Sequence, residues 1–168
     1  MELKEVLLKR RSVRKFTDAP VTDEYIDELL HAAMSGPSAC NKRPWEFYIV
    51  KSKEAVERLR GTTEFSKIIA PLAIVACGNS ERMMPGRFKD FWVQDLSSAT
   101  ENILLRVTDL GLGACWCGVH PVERSEKRVR EALGLSDNLI PLNIIWIGYP
   151  DEAPESRDQY ESELVHYL

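Results

Sequence analysis

The first stretch of the chain that could do chemistry is a basic cluster at residues 9–15, Lys-Arg-Arg-Ser-Val-Arg-Lys. Five of these seven residues are basic, although the whole chain carries a formal net charge of −4. Arginine guanidinium groups match phosphate oxygens in a bidentate manner, and a serine hydroxyl adds a donor. The cluster therefore has the composition of an anion site. A solvated basic turn has the same composition, and charge alone favours the turn.

Two other segments have the residue types that suit a planar ligand. Residues 36–41, Gly-Pro-Ser-Ala-Cys-Asn, are small enough for a ring to approach the backbone, and Asn41 offers both donors and acceptors. Residues 111–118, Gly-Leu-Gly-Ala-Cys-Trp-Cys-Gly, form a glycine-lined turn that could present backbone amides to a ring. Taken singly, each segment also fits an ordinary connection between a helix and a strand.

Several other site types find no support in the sequence. There is no GxGxxG segment that opens a helix and no GxxxxGK[ST] phosphate loop. The three histidines are scattered, and we expect no metal site. We interpret the four cysteines as buried small apolar residues in a reducing compartment. They are Cys40, Cys77, Cys115 and Cys117.

Alternating helical and strand patterns must position these segments. Apolar periodicity and capping residues predict helices over 2–10, about 23–35, 53–60, 91–110 and 123–133, and strands over 45–50, 72–77, 114–117 and 142–147. Residues 78–90 are predicted to form a loop, and residues 151–168 a polar C-terminal arm. The fold class is α+β or α/β, with a central sheet flanked by helices, in one domain over 1–168. The pattern does not fix the strand order.

Composition restricts the partners. A chain with 44% hydrophobic and 29% charged residues is ordinary for a globular protein, and the net charge of −4 argues against nucleic acid as a partner. No apolar run is long enough to span a bilayer, and residues 1–14 lack the apolar core of a signal peptide. We therefore expect a cytoplasmic protein with no membrane partner.

The three segments together are more specific than any one of them. The chain has Arg-Arg-Ser-x-Arg-x-Phe over 10–16, Pro-Ser-Ala-x-Asn-x-x-Pro-Trp over 37–45 and Gly-Leu-Gly-x-x-Trp over 111–116. In this order they resemble the nitroreductase family of FMN oxidoreductases. The resemblance extends through Gly-Tyr-Pro at 148–150 and the tail with Arg157, from about Glu2 to His166. It implies the nitroreductase fold, with a central mixed sheet in an intertwined homodimer.

The resemblance also implies a set of FMN contacts. Those to the phosphate and the ribityl chain are Arg10, Ser12 and Arg14, with Arg11 at the variable position between them, and Arg157 in the tail. Those that lie against the flavin from the partner subunit are Pro37, Ser38, Ala39 and Asn41. Backbone contacts near the redox-active edge fall at Cys117 and Gly118.

Two positions depart from the family pattern. Arg43 stands where the family often has Gln, so a cation there could alter which substrates enter. Gln159 stands where a second basic residue is common, which would leave phosphate binding more dependent on Arg10 and Arg14.

The implied activity is a ping-pong transfer of electrons from NADH or NADPH to a small acceptor such as a nitroaromatic or a quinone. It requires no side-chain nucleophile or acid–base pair, so we assign no catalytic residue. One alternative is another flavin reaction on the same fold, dehalogenation or flavin fragmentation, for which residues 78–90 are the only candidate lid. The other is a flavin-binding sensor or storage protein without turnover. A homodimer is also suggested by the apolar residues of the helix at 91–110, which could pack against more than its own sheet.

Overall fold

The computed structural model describes residues 1–168 and contains five α-helices and four β-strands. The helices are α1 (Leu3–Lys9), α2 (Asp23–Met34), α3 (Lys53–Leu59), α4 (Phe91–Asp109) and α5 (Glu123–Leu133). The strands are β1 (Trp45–Val50), β2 (Leu72–Asn79), β3 (Gly113–Gly118) and β4 (Leu139–Gly148). Every predicted helix and strand is present. Short 3-10 turns lie at Ala39–Asn41, Gly86–Phe88 and Ser162–Leu164.

Local sequence explains where the second helix begins and which face it buries. The hydroxyl of Thr22 accepts a hydrogen bond from the backbone N–H of Tyr25 at 3.4 Å, so Thr22 is the N-cap that the sequence predicts. Ile26, Leu29 and Ala33 recur at helical spacing and are buried. These contacts fix α2 against α4 on one side of the sheet.

The central sheet has the strand order β1-β2-β4-β3. The prediction of a sheet flanked by helices is confirmed, but the expected mixed pairing is not what the four strands adopt. All three strand pairs are antiparallel, and parallel pairing is limited to a single bridge between Ser12 and Ala114. The lengths of the connections do not distinguish the two directions, because a helix can join either kind of pair.

Strand β4 begins at Leu139, three residues before the predicted start. Pro141 lies inside it, at a point where the pairing with β2 shifts register between Ala76 and Cys77. The pairing of β3 with β4 ends at Asn143, so β3 accepts no hydrogen bond from position 141, where proline has no N–H. Proline is tolerated at bulges and strand edges, so β4 continues through Pro141.

Helices cover both faces of the sheet. One core contains Leu29 of α2 together with Leu96 and Ile103 of α4. The other contains Leu59 of α3 and Val129 of α5. All eight residues of β2 are buried. Both faces of the sheet are therefore covered, and β1 and β3 form its two edges.

Three of the four cysteines are buried as expected, but Cys40 is exposed, which corrects the prediction for that residue. Cys77, Cys115 and Cys117 all lie in the core beneath α3 and α5. No three His, Cys, Asp or Glu side chains are grouped so that they could hold a metal ion. None of the helices combines the length and the apolar character needed to cross a membrane.

Two segments that are distant in sequence run beside the β3 edge. The N–H of Val13 donates to the carbonyl oxygen of Ala114 at 2.9 Å. Phe16 forms an antiparallel bridge with Pro150, and the N–H of Asp151 donates to the carbonyl of Lys15 at 2.9 Å. Residues 153–168 continue from there with every side chain exposed.

Candidate functional site

The basic segment predicted from sequence lies along the β3 edge and is fixed there by its backbone. The carboxylate of Glu152 accepts hydrogen bonds from the N–H groups of Arg14, at 2.5 Å, and Lys15, at 3.3 Å. These bonds leave the side chain of Arg14 free. A hydrogen bond with Cys115 and burial raise the pKa of Cys117, and the nearby positive charge of Arg14 opposes that rise. Since Ser12 bridges to Ala114 and the N–H of Val13 donates to the carbonyl of Ala114, the backbone of Arg14 follows beside β3.

The arginines of this segment differ in their partners. Arg10 lies with its Nε 3.6 Å from Oε1 of Glu101 on α4. Arg11, Arg14 and Arg157 form no ion pair, and Arg157 is held through its backbone N–H to the carbonyl of Leu8 at 3.3 Å. The guanidinium groups of Arg11, Arg14 and Arg157 are therefore available to an anion such as a phosphate.

The end of β3 supplies the backbone positions of the predicted site. Cys117 points into the core, where its thiol donates to the carbonyl of Phe65 at 3.2 Å. Gly118 is exposed, and a Cβ built on it would meet no atom within 4 Å. Cys117 can therefore contribute only through its backbone, whereas the surface at Gly118 is open to a flat ligand.

The loop at residues 37–41 is held on α4 by a buried carboxylate. The N–H of Ala39 donates to Oδ1 of Asp95 at 2.8 Å, and the hydroxyl of Ser38 accepts from the N–H of Arg43 at 3.0 Å. Burial raises the pKa of Asp95, and the hydrogen bond from Ala39 opposes that rise. The backbone of Cys40, Asn41 and Arg43 is left-handed, with φ of 48°, 53° and 45°. The loop is thus a fixed turn.

Within one chain the loop and the basic segment do not meet. The loop contacts α4 at Asp95, whereas Arg10 contacts it at Glu101. Six residues of helix correspond to about 9 Å along the axis and about 120° around it. The structure therefore brings Ser12 and Arg14 beside β3, whose end carries Cys117 and Gly118, and Arg11 precedes Ser12 in the same segment. Arg10 lies instead against Glu101 of α4, and Arg157 lies against Leu8 of α1. The structure leaves Pro37, Ser38, Ala39 and Asn41 on another face of α4, beside a cleft of about 430 Å³.

Sequence reasoning missed two residues that position these segments. Asp95 interrupts the apolar face of α4, and a carboxylate at such a position is a signal that could have revealed it. Glu152 lies in a polar stretch with other acidic residues, so nothing in the sequence distinguishes it. The carboxylates of Asp95 and Glu152 both accept hydrogen bonds from backbone N–H groups.

A four-stranded antiparallel sheet with helices on both faces and a basic edge at β3 is the architecture of a known class of protein. The Nitroreductase family model matches residues 7–64 and 60–149. The chain belongs to the nitroreductase family, as the motifs predict.

Three similar proteins illustrate the relationship. A protein of Methanothermobacter thermautotrophicus with the assigned name NADH dehydrogenase/NAD(P)H nitroreductase is 40% identical, over 99% of this chain and 86% of its own length. A crystal structure from Parabacteroides distasonis with the same assigned name is 36% identical, with a TM-score of 0.92 and 99% and 98% of the two chains covered. An FMN-dependent nitroreductase from Clostridium difficile is 35% identical, with a TM-score of 0.84 and 96% of each chain covered.

Proposed function

We propose that this chain is a single-domain FMN-dependent oxidoreductase that reduces a small acceptor, such as a nitroaromatic or a quinone, with NADH or NADPH. The observation that carries the proposal is the β3 edge, where unpaired arginines lie beside a strand end with an open glycine surface. Relatives with the assigned names NAD(P)H nitroreductase and FMN-dependent nitroreductase support it. Bound FMN supplies the electron chemistry between donor and acceptor.

The resemblance to the family supports a role for each residue. In our proposal Arg10, Ser12, Arg14 and Arg157 hold the phosphate and the ribityl chain, and Arg11 adds positive charge nearby. The backbone at Cys117 and Gly118 faces the edge of the ring. None of these groups exchanges a proton with the substrate, so the chain contributes binding, orientation and positive charge.

A second copy of the chain completes this site in our proposal. The basic segment and the loop at 37–41 are both needed around one flavin, yet within one chain they contact different faces of α4. In a homodimer, the loop carrying Pro37, Ser38, Ala39 and Asn41 of one subunit covers the ring held by the other. The donor and the acceptor then use the same space in turn, which gives ping-pong kinetics. With a nitroaromatic, each cycle consumes one NAD(P)H and one proton, converts nitro to nitroso and releases water.

Spectroscopy and steady-state kinetics test the proposal. We expect the purified protein to be yellow, to release FMN and not FAD on denaturation, and under anaerobic conditions to turn over NADH or NADPH only when a nitroaromatic or a quinone is present. A colourless protein that does not take up FMN would contradict the cofactor assignment. A flavoprotein that oxidises neither nicotinamide with either acceptor would instead be a flavin-binding protein without turnover.

A further inference from the structure

A cavity of about 270 Å³ lies beside Gly118, between the segment at 63–65 and the start of α5. Gly118 is common to this cavity and to the proposed flavin site, so a molecule held here lies next to the redox-active edge. The thiol of Cys117 donates to the carbonyl of Phe65 and holds the segment against β3. The cavity wall is therefore attached to the sheet.

Two arginines line this cavity without partners. Arg124 and Arg128 are four residues apart on α5 and thus share one face of the helix. Neither forms a hydrogen bond or an ion pair. Glu64 is the only acidic residue that lines the cavity, and it pairs with neither arginine; Glu126, on the same helix, pairs with His120 at 2.7 Å. The cavity therefore has a net positive charge.

The other lining residues suit an aromatic ring. Phe65 and Val122 are 74% and 56% exposed, which is unusual for apolar side chains that line a recess. Apolar surface exposed in this way is available to an aromatic ligand.

Given the proposed function, we propose that this cavity selects aromatic electron acceptors that carry a carboxylate. The ring packs against Phe65 and Val122 next to Gly118, and the carboxylate pairs with Arg124 and Arg128 in the geometry that guanidinium groups favour. Cavities for drug-sized ligands span roughly 300–1,000 Å³. A cavity of about 270 Å³ therefore fits a single-ring acceptor and is too small for the whole nicotinamide dinucleotide.

The test compares 4-nitrobenzoate with 4-nitrobenzamide, a neutral compound of similar size, in the FMN-loaded protein with saturating NADPH. We expect a higher kcat/KM for the carboxylate and a loss of about threefold in that preference in Arg124→Gln and in Arg128→Gln, because exposed ion pairs are weak. Lys127→Gln removes the same charge from α5 at a residue that lines a different groove, and it should leave the preference unchanged. Added salt should reduce the preference of the unaltered protein.

Binding is measured separately with benzoate, which is not reduced. Titrated against the oxidised protein and followed by the visible difference spectrum of the flavin, it should bind less tightly to the two arginine variants than to Lys127→Gln. Equal kcat/KM values for the two nitro compounds, or equal benzoate binding in all variants, would overturn the proposal while the oxidoreductase function stands. A raised KM for NADPH with an unaltered carboxylate preference would also overturn it, because the arginines would then bind the donor. If no acceptor is reduced, including a neutral quinone, the proposed function fails as well.

Discussion

Arg14 and Lys15 are adjacent basic residues in different surroundings. Both backbone N–H groups bind Glu152, so an alanine at either position keeps that contact. The positive charge of Arg14 acts to lower the pKa values of Cys115 and Cys117 on β3. We expect Arg14→Ala to weaken FMN binding tenfold or more, since a hydrogen bond to a charged group is worth about 1.5–3 kcal/mol. Lys15→Ala is the matched control.

The fluorescence of released FMN measures the dissociation constant of each variant. Equal losses in Arg14→Ala and Lys15→Ala would reduce the site to a diffuse basic patch and would remove the specific role of Arg14.

Substitutions at two glycines of β3, Gly118 and Gly113, distinguish an effect on FMN binding from an effect on folding stability. A Cβ at Gly118 would meet nothing within 4 Å, so Gly118→Ala should leave thermal stability unchanged. In our proposal that methyl group lies where the flavin edge approaches the backbone, so FMN affinity should fall by tenfold or more. A Cβ at Gly113 would lie 2.9 Å from the side chain of Val13, and we expect overpacking there to cost about 1–3 kcal/mol of folding stability.

Thermal melts of the FMN-free proteins and flavin titrations distinguish the two effects. A destabilised Gly118→Ala protein, or one that binds FMN as tightly as the unaltered chain, would argue against a flavin at this surface.

The sequence predicted some features of single residues and not others. The motifs located the basic segment, the small-residue loop and the glycine at the end of β3, because each has an unusual composition. They could not show that Arg10 pairs with Glu101 or that Glu152 holds the backbone of Arg14, since these contacts join residues 91 and 138 positions apart. Such pairs depend on the folded chain and leave no local pattern.

At the scale of elements, helical periodicity and capping predicted every helix within a few residues, because these signals are local. Strand order and direction are not local. The antiparallel order β1-β2-β4-β3 depends on which strands pair across connections of more than ten residues. The bulge at Pro141 shows the same limit. Proline is usually excluded from the interior of a strand, yet Pro141 lies within β4.

Helix α4 holds the loop at 37–41 through Asp95, and this attachment has a pH signature. Burial raises the folded-state pKa of Asp95 above its ordinary value of 3.8, so the folded protein retains the proton more readily than the unfolded chain does. The contribution of Asp95 to stability therefore falls as the pH rises from about 3.8 through the raised pKa, and stays constant above it.

Asp95→Asn keeps an oxygen acceptor for the N–H of Ala39 and does not titrate. We expect its free energy of unfolding, relative to the unaltered chain, to increase as the pH rises through this window. Asp95→Ala leaves that N–H without an acceptor and should cost about 1–3 kcal/mol, with the larger loss at the acid end of the window. Urea unfolding between pH 4 and pH 7 measures both variants. Parallel pH curves for the aspartate and asparagine proteins would contradict the effect.

In the whole molecule, the divided site and the C-terminal arm are the features that favour a homodimer. The apolar residues of α4 that suggested a second partner are buried in the core of their own chain. Residues 151–168, in contrast, expose Tyr160, Leu164 and Tyr167 by 71%, 71% and 92%. Exposed apolar groups of this size favour docking on another surface.

Removal of residues 159–168 should therefore weaken the dimer and leave the fold intact, because none of these residues lies in either core. Light scattering on serial dilution, with the flavin content of the same samples, measures the effect. We expect the shortened chain to dissociate at concentrations where the full chain remains dimeric. A full-length monomer with stoichiometric FMN and full activity would refute a site shared between subunits.

Residues 8–16 are hydrogen-bonded to residues 150–157 beside β3, and this pairing affects the order of folding during synthesis. Arg14 is synthesised before Glu152, which fixes its backbone and follows 138 residues later. At roughly 5–20 residues per second, a nascent chain waits on the order of ten seconds between the two. Strands β1 and β2 can pair in that interval, whereas in our proposal the phosphate site is complete only once Glu152 is present. We therefore expect flavin uptake to follow the synthesis of β4.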